Sequence, residues 1–259
     1  MPGARPKGVA FVTGAGSGLG RAIAHRLAAD GYPVAIADID ASSAASVADA
    51  IGAEGGVATA VKCDVTDLAS IQAAADEFPG AEGGISVLVN NAGFDRPGIF
   101  LHTDPADWEA LIRVNLFGVL NCTHALAPRI AEAVRGGSEG RIVNIASDAG
   151  RVGSLGEAVY SAAKGGVIAF SKSMARELAR ERITVNAVCP GPAETPMTAA
   201  IQSTELGGKM MDKMIAMTPL RRLVLPEEVA AAVAYFASNE ARFVTGQVLS
   251  LSGGLTMSG

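Results

Sequence analysis

The stretch GVAFVTGAGSGLG, Gly8 to Gly20, decides the fold. GVAFVT is a short apolar run ending in threonine, the composition of a buried strand. TGAGSGLG (Thr13–Gly20) is a glycine-rich turn, and the residues from about Gly18 to Asp30 read as a helix. Glycines let a backbone turn sharply and approach a ligand closely, and a helix N-terminus presents unpaired N–H groups to a phosphate. The strict G-x-G-x-x-G pattern fails because Leu19 stands where its third glycine would be. The pattern present is T-G-x-x-x-G-x-G, with Gly14, Gly18 and Gly20 and with Ser17 inside the turn. No Lys-Ser or Lys-Thr follows, so it is not a P-loop. A plain tight turn is the alternative reading, and position after the first strand favours a dinucleotide.

Outward from this turn the pattern repeats. Strands are expected at Pro33–Asp38, Val57–Asp64 and Ile85–Asn90, with helices at about Ala41–Ile51 and Asp67–Glu77 between them. Further on come one helix from near Asp104, a second running towards Val134, a strand Arg141–Ser147, a helix from Ala158, and a strand Ile183–Pro190. A helix from Pro226 to about Ala237 and a final strand in QVLSLSGG end the chain. Short apolar strands alternating with helices indicate βαβ units and a parallel sheet. Hydrophobic residues make up 49% and aromatic residues 5%, so the core is built from small aliphatic side chains, as closely packed helices on a buried sheet require. No linker or fixed-period repeat interrupts residues 1–259, which read as one domain.

Composition excludes several functions. A formal charge of −5 offers no electrostatic footprint for nucleic acid. No apolar run approaches the ~18–20 residues of a membrane span, and MPGARPKG lacks the apolar segment of a signal peptide. Cys63, Cys122 and Cys189 are too scattered for a disulfide framework or a zinc site. His25, His102 and His124 lack metal-ligand spacing, so no metal is expected. The expected compartment is the reducing cytoplasm. H-E-x-x-H and Cys–His hydrolase signatures are absent from the sequence.

Two features carry chemistry. Asp38 ends the second strand, where an acidic residue accepts hydrogen bonds from the adenosine ribose hydroxyls. A carboxylate there repels a 2′-phosphate, and neither Ser17 nor Ile39 offers a compensating positive charge, so NAD is expected rather than NADP. The alternative is a solvated strand end or helix cap. The second feature is Tyr160 with Lys164. Of the three tyrosines, Tyr32, Tyr160 and Tyr235, only Tyr160 has a lysine four residues on, placing both side chains on one helix face. A free phenol has a pKa of ~10, and a nearby cation favours the phenolate, bringing it towards a working range. Ser147 lies at the carboxyl end of the preceding strand, the sheet edge where such folds bind ligands; there it can hold a carbonyl or alcohol oxygen or serve as a capping serine.

These residues, with Cys63-Asp64-Val65, NNAG (Asn90–Gly93), Asn115 in VNLFG, YSAAK and PGPAETPM (Pro190–Met197), give the chain a resemblance to the short-chain dehydrogenase/reductase family over essentially its whole length. The resemblance implies a single-domain Rossmann fold, a seven-stranded doubly wound parallel α/β sheet with helices on both faces. It also implies a homotetramer and reversible hydride transfer between an alcohol carbon and NAD. By the same resemblance Tyr160 is the general acid/base and Ser147 positions the substrate oxygen. Lys164 holds the nicotinamide ribose and lowers the phenol pKa, while Asn115 supports a water linking Lys164 to solvent. Asp64 and Val65 meet the adenine, and Asn91, Ala92 and Gly93 line the adenosine side. Pro190, Gly191, Ala193 and Thr195 lie by the nicotinamide, Ala193 standing where many relatives have a larger aliphatic residue; Ser252 replaces an acidic residue common before the last Gly-Gly.

For substrate, NIASDAGRVGSLGEAVYSAAKGG, VNAVCPGP and TGQVLSLSGGLT resemble 2-hydroxycyclohexanecarboxyl-CoA dehydrogenases, which oxidise a β-hydroxyacyl thioester, and also 3-oxoacyl reductases. A β-hydroxyacyl-CoA is therefore the favoured substrate; 3-oxoacyl, sugar and alicyclic alcohol dehydrogenases of the same family are alternatives. A non-catalytic dinucleotide-binding regulator is the rival from another class, against which Asn115, Ser147, Tyr160 and Lys164 all count. Residues 195–225, with Met197, Met210, Met211, Met214 and Met217, are the expected substrate lid, ordinary helix packing being the alternative. Phe94, Asp95 and Arg96 could edge the pocket; Arg151 could face a CoA phosphate, or be a surface or subunit contact.

Overall fold

The computed structural model describes residues 8–78, 84–203 and 205–257. Its strands are β1 (Val9–Thr13), β2 (Val34–Asp38), β3 (Ala58–Lys62), β4 (Ile85–Asn90), β5 (Gly140–Ile145), β6 (Ile183–Pro190) and β7 (Val248–Leu251). They form one parallel sheet in the order β3-β2-β1-β4-β5-β6-β7. The order reverses between β1 and β4, so the loops leaving these two strands diverge and open a crevice at the carboxyl edge.

The alternation along each strand dictates the two helical layers. Ala10 and Val12 of β1 face α1 (Gly18–Ala29), α2 (Ala41–Ala53) and, through its Val229, Val233 and Phe236, the later helix Pro226–Ala237. Val9 and Phe11 face the other side, packing with Ile71 of α3 (Leu68–Asp76) and with Cys122, Leu126 and Ile130 further along the chain. The helices that complete the fold are α4 (Pro105–Ile112), α5 (Gly118–Arg135), α6 (Ala149–Val152), α7 (Ala158–Glu177), α8 (Pro196–Gln202), α9 (Glu205–Met217) and α10 (Pro226–Ala237). Both core clusters are rich in Ala and Val, which lets helices approach the sheet closely and explains how so few aromatic residues suffice.

Differences from the sequence expectation lie at element ends and in one helix. β3 is shorter than Val57–Asp64, and β5 stops at Ile145, leaving Ser147 two residues beyond the strand. The two helices expected from Asp104 to Val134 are α4 and α5, joined without a break by a π-helical turn, Arg113–Phe117. Against the expectation from apolar runs, Pro105–Arg135 is long and apolar enough by composition to cross a membrane; here it is a core helix whose buried side packs on β4 and β5. Residues 191–225 have no named strand, as the sequence indicates, but Ala193 and Val224 form an isolated parallel bridge that closes the α8–α9 excursion at its base.

Gly140, the first residue of β5, sits where α5 meets the sheet. A Cβ there would stand 2.7 Å from Ile183 Cγ1 and 2.8 Å from Val134 Cγ2. Gly140→Ala is therefore expected to destabilise the fold by about 1–3 kcal/mol through overpacking. Urea unfolding checks this: the midpoint should fall with an unchanged slope, and an unmoved midpoint would refute the contact.

Candidate functional site

The crevice is walled by the turn after β1 and the loop after β4. Gly14 and Gly18 hold φ of +61° and +51°, the left-handed region that favours glycine. Gly20 is constrained by space: a Cβ would lie 2.1 Å from the Gly14 carbonyl oxygen. Asn91 braces the turn from the far wall, its side-chain amide donating to the Thr13 oxygen at 2.9 Å and the Gly14 oxygen at 3.0 Å. The backbone N–H groups of Asn91 and Ala92 donate to the Thr13 hydroxyl at 3.0 and 3.1 Å. Asn91 thus acts on the crevice through the turn's shape.

Ser17 occupies the N-cap position of α1, is exposed, and makes no side-chain cap; the first turn of α1 also carries no acidic residue. The helix dipole and first-turn N–H groups are left to an external anion, as a pyrophosphate requires. Leu19 is half-buried and packs towards the core. Asp38 is half-buried, and its carboxylate accepts from the Gly16 N–H at 2.8 Å and the Asp40 N–H at 3.0 Å. It joins the turn to the end of β2 and retains lone pairs for a diol; the Ile39 side chain beside it is exposed. Asp64 accepts from both the N–H and the hydroxyl of Thr66 at 2.8 Å, while Val65 is buried against Gly118. These features fit a dinucleotide: a positive-φ glycine turn, an uncapped helix start and a carboxylate at the second strand end.

On the other side of the switch point stand the residues with proton chemistry. Ser147 accepts from the Ala149 N–H at 3.1 Å, and its hydroxyl lies near enough to the Tyr160 phenol to favour the phenolate. α6 follows at once and lies on α7 so closely that a Cβ on Gly150 would meet the Lys164 carbonyl carbon at 2.6 Å. That approach brings Ser147 to Tyr160. Lys164 is buried, its ammonium donating to the Ile145 carbonyl at 2.9 Å and lying 5.7 Å from the Tyr160 ring centre. Asn115 sits in the π turn, fully buried, and donates to the carbonyls of Phe94 at 2.7 Å and Leu111 at 3.0 Å. Its Oδ1 has no donor among the described residues. A Cβ built on Gly93 would lie 2.6 Å from that oxygen and 3.3 Å from the Lys164 nitrogen, so only glycine fits between them.

The electrostatics differ from the sequence expectation. Burial, then the Asp95 charge, pushes the Tyr160 phenol above its ordinary value; the Ser147 hydroxyl opposes this and Glu157 adds to it. Lys164 does not bring the phenol down here, because burial brings its own pKa down to about 8. Asp95 is itself pushed up to about 7, by burial and by the neighbouring Glu157 carboxylate. The two carboxyls line, with Tyr160, Phe100 and Trp108, a small cavity of about 20 Å³ at the mouth of the site. A larger cavity of about 210 Å³ lies beyond the β6 end, lined by Gly191, Thr218, Leu220, Arg222 and Ser252, and does not reach Tyr160.

Pro190 ends β6, and the Gly191 N–H donates to the Leu251 carbonyl. Ala193 is buried, and Thr195 accepts from the Thr198 N–H at 3.3 Å at the start of α8, close to Gly18. The methionines of the segment expected to be a lid share no single face: Met211 is buried, Met214 half-buried, and Met210 and Met217 exposed. The Met197 side chain lies outside the described set. Arg151 is mostly buried, paired with Asp148 and bonded to Thr256 near the end of the chain, so its side chain is not a surface residue. Sequence reasoning gave no role to Gly150, Asp148, Glu157 or Trp108, whose contacts are made between elements. Among the described residues no His, Cys, Asp or Glu cluster is placed to hold a metal.

The chain belongs to the short-chain dehydrogenase/reductase family, whose members are oxidoreductases. Residues 14–256 match the family model described as Enoyl-(Acyl carrier protein) reductase. The chain is 39% identical over 249 residues to the 3-oxoacyl-[acyl-carrier-protein] reductase FabG of Escherichia coli K12, covering 96% of this chain and 97% of the relative. It is 38% identical over 257 residues to the (3R)-3-hydroxyacyl-CoA dehydrogenase of Canis lupus familiaris, covering 96% of each. Among solved structures it is similar to a single-substitution variant of actinorhodin polyketide ketoreductase with NADPH, at 37% identity and a TM-score of 0.90, covering 97% of this chain and 98% of that one.

Two outcomes test the geometry. Gly20→Ala should abolish tight dinucleotide binding, read by NADH fluorescence titration; an unchanged dissociation constant would contradict the packed turn. Asp95→Asn removes a negative charge that disfavours the phenolate. The acid limb of alcohol oxidation should move to lower pH by about one unit, worth about 1.4 kcal/mol. A shift to higher pH, or none, would show that Asp95 does not act on Tyr160.

Proposed function

We propose that the protein is an NAD-dependent dehydrogenase/reductase that interconverts a β-hydroxyacyl thioester and its β-keto form. The observation that carries the reaction type is the contact of Tyr160 with Ser147 beside a buried Lys164. Bound oxidised dinucleotide supplies a hydride acceptor with a positively charged ring. Ser147 holds the substrate oxygen next to the phenol, and Tyr160 takes the alcohol proton in oxidation or returns it in reduction. Lys164 binds the ribose beside the nicotinamide and favours the phenolate while it stays charged. Asn115 presents a buried acceptor near the Lys164 nitrogen, a place for a proton to leave towards solvent.

Asp38 supports NAD over NADP. Its carboxylate stands within the glycine turn's hydrogen bonding, and a 2′-phosphate there would meet its charge. The relative with NADPH does not decide the preference of this chain, because the feature is local to the β2 end. Acyl thioesters are supported by the names of both curated relatives, an acyl-carrier-protein reductase and an acyl-CoA dehydrogenase. Within that class, the alicyclic β-hydroxyacyl-CoA is favoured by sequence resemblance alone. The whole of 1–259 is read as one catalytic domain with residues 195–225 as its lid, working in the cytoplasm. A homotetramer is supported by exposed apolar side chains such as Phe243, and Leu249 on the edge strand β7.

A spectrophotometric comparison tests this reading. Oxidation of 3-hydroxyacyl-CoAs should proceed with kcat/KM at least about tenfold higher for NAD than NADP, and Asp38→Ala should narrow that ratio. Tyr160→Phe should lower kcat by at least about 100-fold, the scale of acid–base catalysis, with NADH binding retained. Activity confined to simple alcohols or sugars would overturn the substrate class, unchanged turnover in Tyr160→Phe would overturn the mechanism, and NADH binding with no turnover of any alcohol by the wild type would favour a non-catalytic binding protein.

A further inference from the structure

The residue after Ser147 is a buried carboxylate at the meeting point of three strand ends. Asp148 is 4% exposed. Its N–H donates to the Pro190 carbonyl at 3.1 Å, tying the end of β5 to the end of β6. Its carboxylate lies 2.8 and 3.0 Å from the Ser250 hydroxyl of β7, accepts from the Thr256 hydroxyl, and pairs with Arg151 at 3.2 Å. Arg151 also donates to Thr256 at 3.3 Å, and the Thr256 N–H donates to Ser252 at 3.3 Å. A charge removed from water this far is retained only where it is paired and hydrogen-bonded, and here the partners come mainly from the end of the chain.

The same terminal segment supports the exit of the lid. Gly253 and Gly254 have φ of +60° and +87°, and the Gly253 carbonyl accepts from the Leu220 N–H at 3.2 Å. Cβ atoms at these glycines would lie 2.9 Å from Thr218 Cγ2 and 2.9 Å from Pro219 Cγ. One short stretch, Ser250 to Thr256, therefore touches the residue beside Ser147 at one end and the last turn of the lid, just after α9, at the other.

We propose that Asp148 is a positioning residue that couples the C-terminal segment and the lid exit to Ser147, with Thr256 as its clamp. The clamp fixes the short turn between β5 and α6, and so the direction of the Ser147 hydroxyl; loosening the tail loosens both Ser147 and residues 218–220. The catalytic consequence rests on the function proposed above; the mechanical coupling does not.

The test uses the full chain with NADH bound. Thr256→Val keeps the volume and removes the hydroxyl, Thr256→Ser restores it, and Asp148→Asn removes the charge. Thr256→Val should lower kcat at least about tenfold with the NADH dissociation constant within about twofold of wild type, and Thr256→Ser should recover most of the loss. Amide hydrogen exchange should accelerate together over residues 147–152 and 218–220 in Thr256→Val and, if it folds, in Asp148→Asn. Wild-type kcat in Thr256→Val, a loss that Thr256→Ser shares, or unchanged exchange at either segment would overturn the coupling. If the wild-type enzyme turns over no thioester, the function proposed above fails, and the exchange measurement alone decides the coupling by the same outcomes.

Discussion

The site depends on one buried cation. Lys164 lies inside the fold with its ammonium on the Ile145 carbonyl, one turn of helix beyond Tyr160. Burial disfavours the ammonium and the phenolate individually, which is why the amine falls to about 8 and the phenol rises. The phenol is a poor proton carrier in that environment unless a neighbouring charge offsets its burial, and the Lys164 ammonium, 5.7 Å from the ring centre, is the cation placed to do so. The surrounding structure serves that arrangement: β5 supplies the carbonyl, α6 crosses α7 at Gly150 to deliver Ser147, and Gly93 leaves room for Asn115 beside the amine.

The two halves of the crevice are joined by the sheet reversal between β1 and β4. Thr13 and Asn91, on those neighbouring strand ends, hold each other through three hydrogen bonds of 2.9–3.1 Å involving Asn91 and Ala92, which brace the glycine turn from the far wall. Four residues on from Asn91, Asp95 leans over Tyr160 with Glu157. On the proposed function, binding of the dinucleotide and handling of the proton share one loop, residues 91–95, with bracing at its start and charge at its end.

Much of this was legible in the sequence because it is local. The alternation of apolar strands and helices gave the parallel sheet, and the turn at Thr13–Gly20, the strand-end Asp38 and the Tyr160–Lys164 spacing each sit within one element or its end. What was not legible is long-range. The Asp148 carboxylate finds Ser250 and Thr256 at separations of 102 and 108 residues, so no pattern near Arg151 could show that it faces inwards. The π turn that carries Asn115 leaves no periodicity of its own within a helix from Pro105 to Arg135. The acidic pair above the phenol joins a loop after β4 to the start of α7, and its effect on Tyr160 reverses the simple expectation drawn from Lys164 alone.

The central claim is that Tyr160 works as a proton carrier only with the Lys164 charge beside it. The most direct measurement is the pH dependence of kcat/KM for NAD-linked alcohol oxidation in wild type and in Lys164→Met. The account predicts that the acid limb moves to higher pH, with a large loss of rate at neutral pH, when the cation is removed. A Lys164→Met enzyme that keeps the wild-type limb and rate would contradict it.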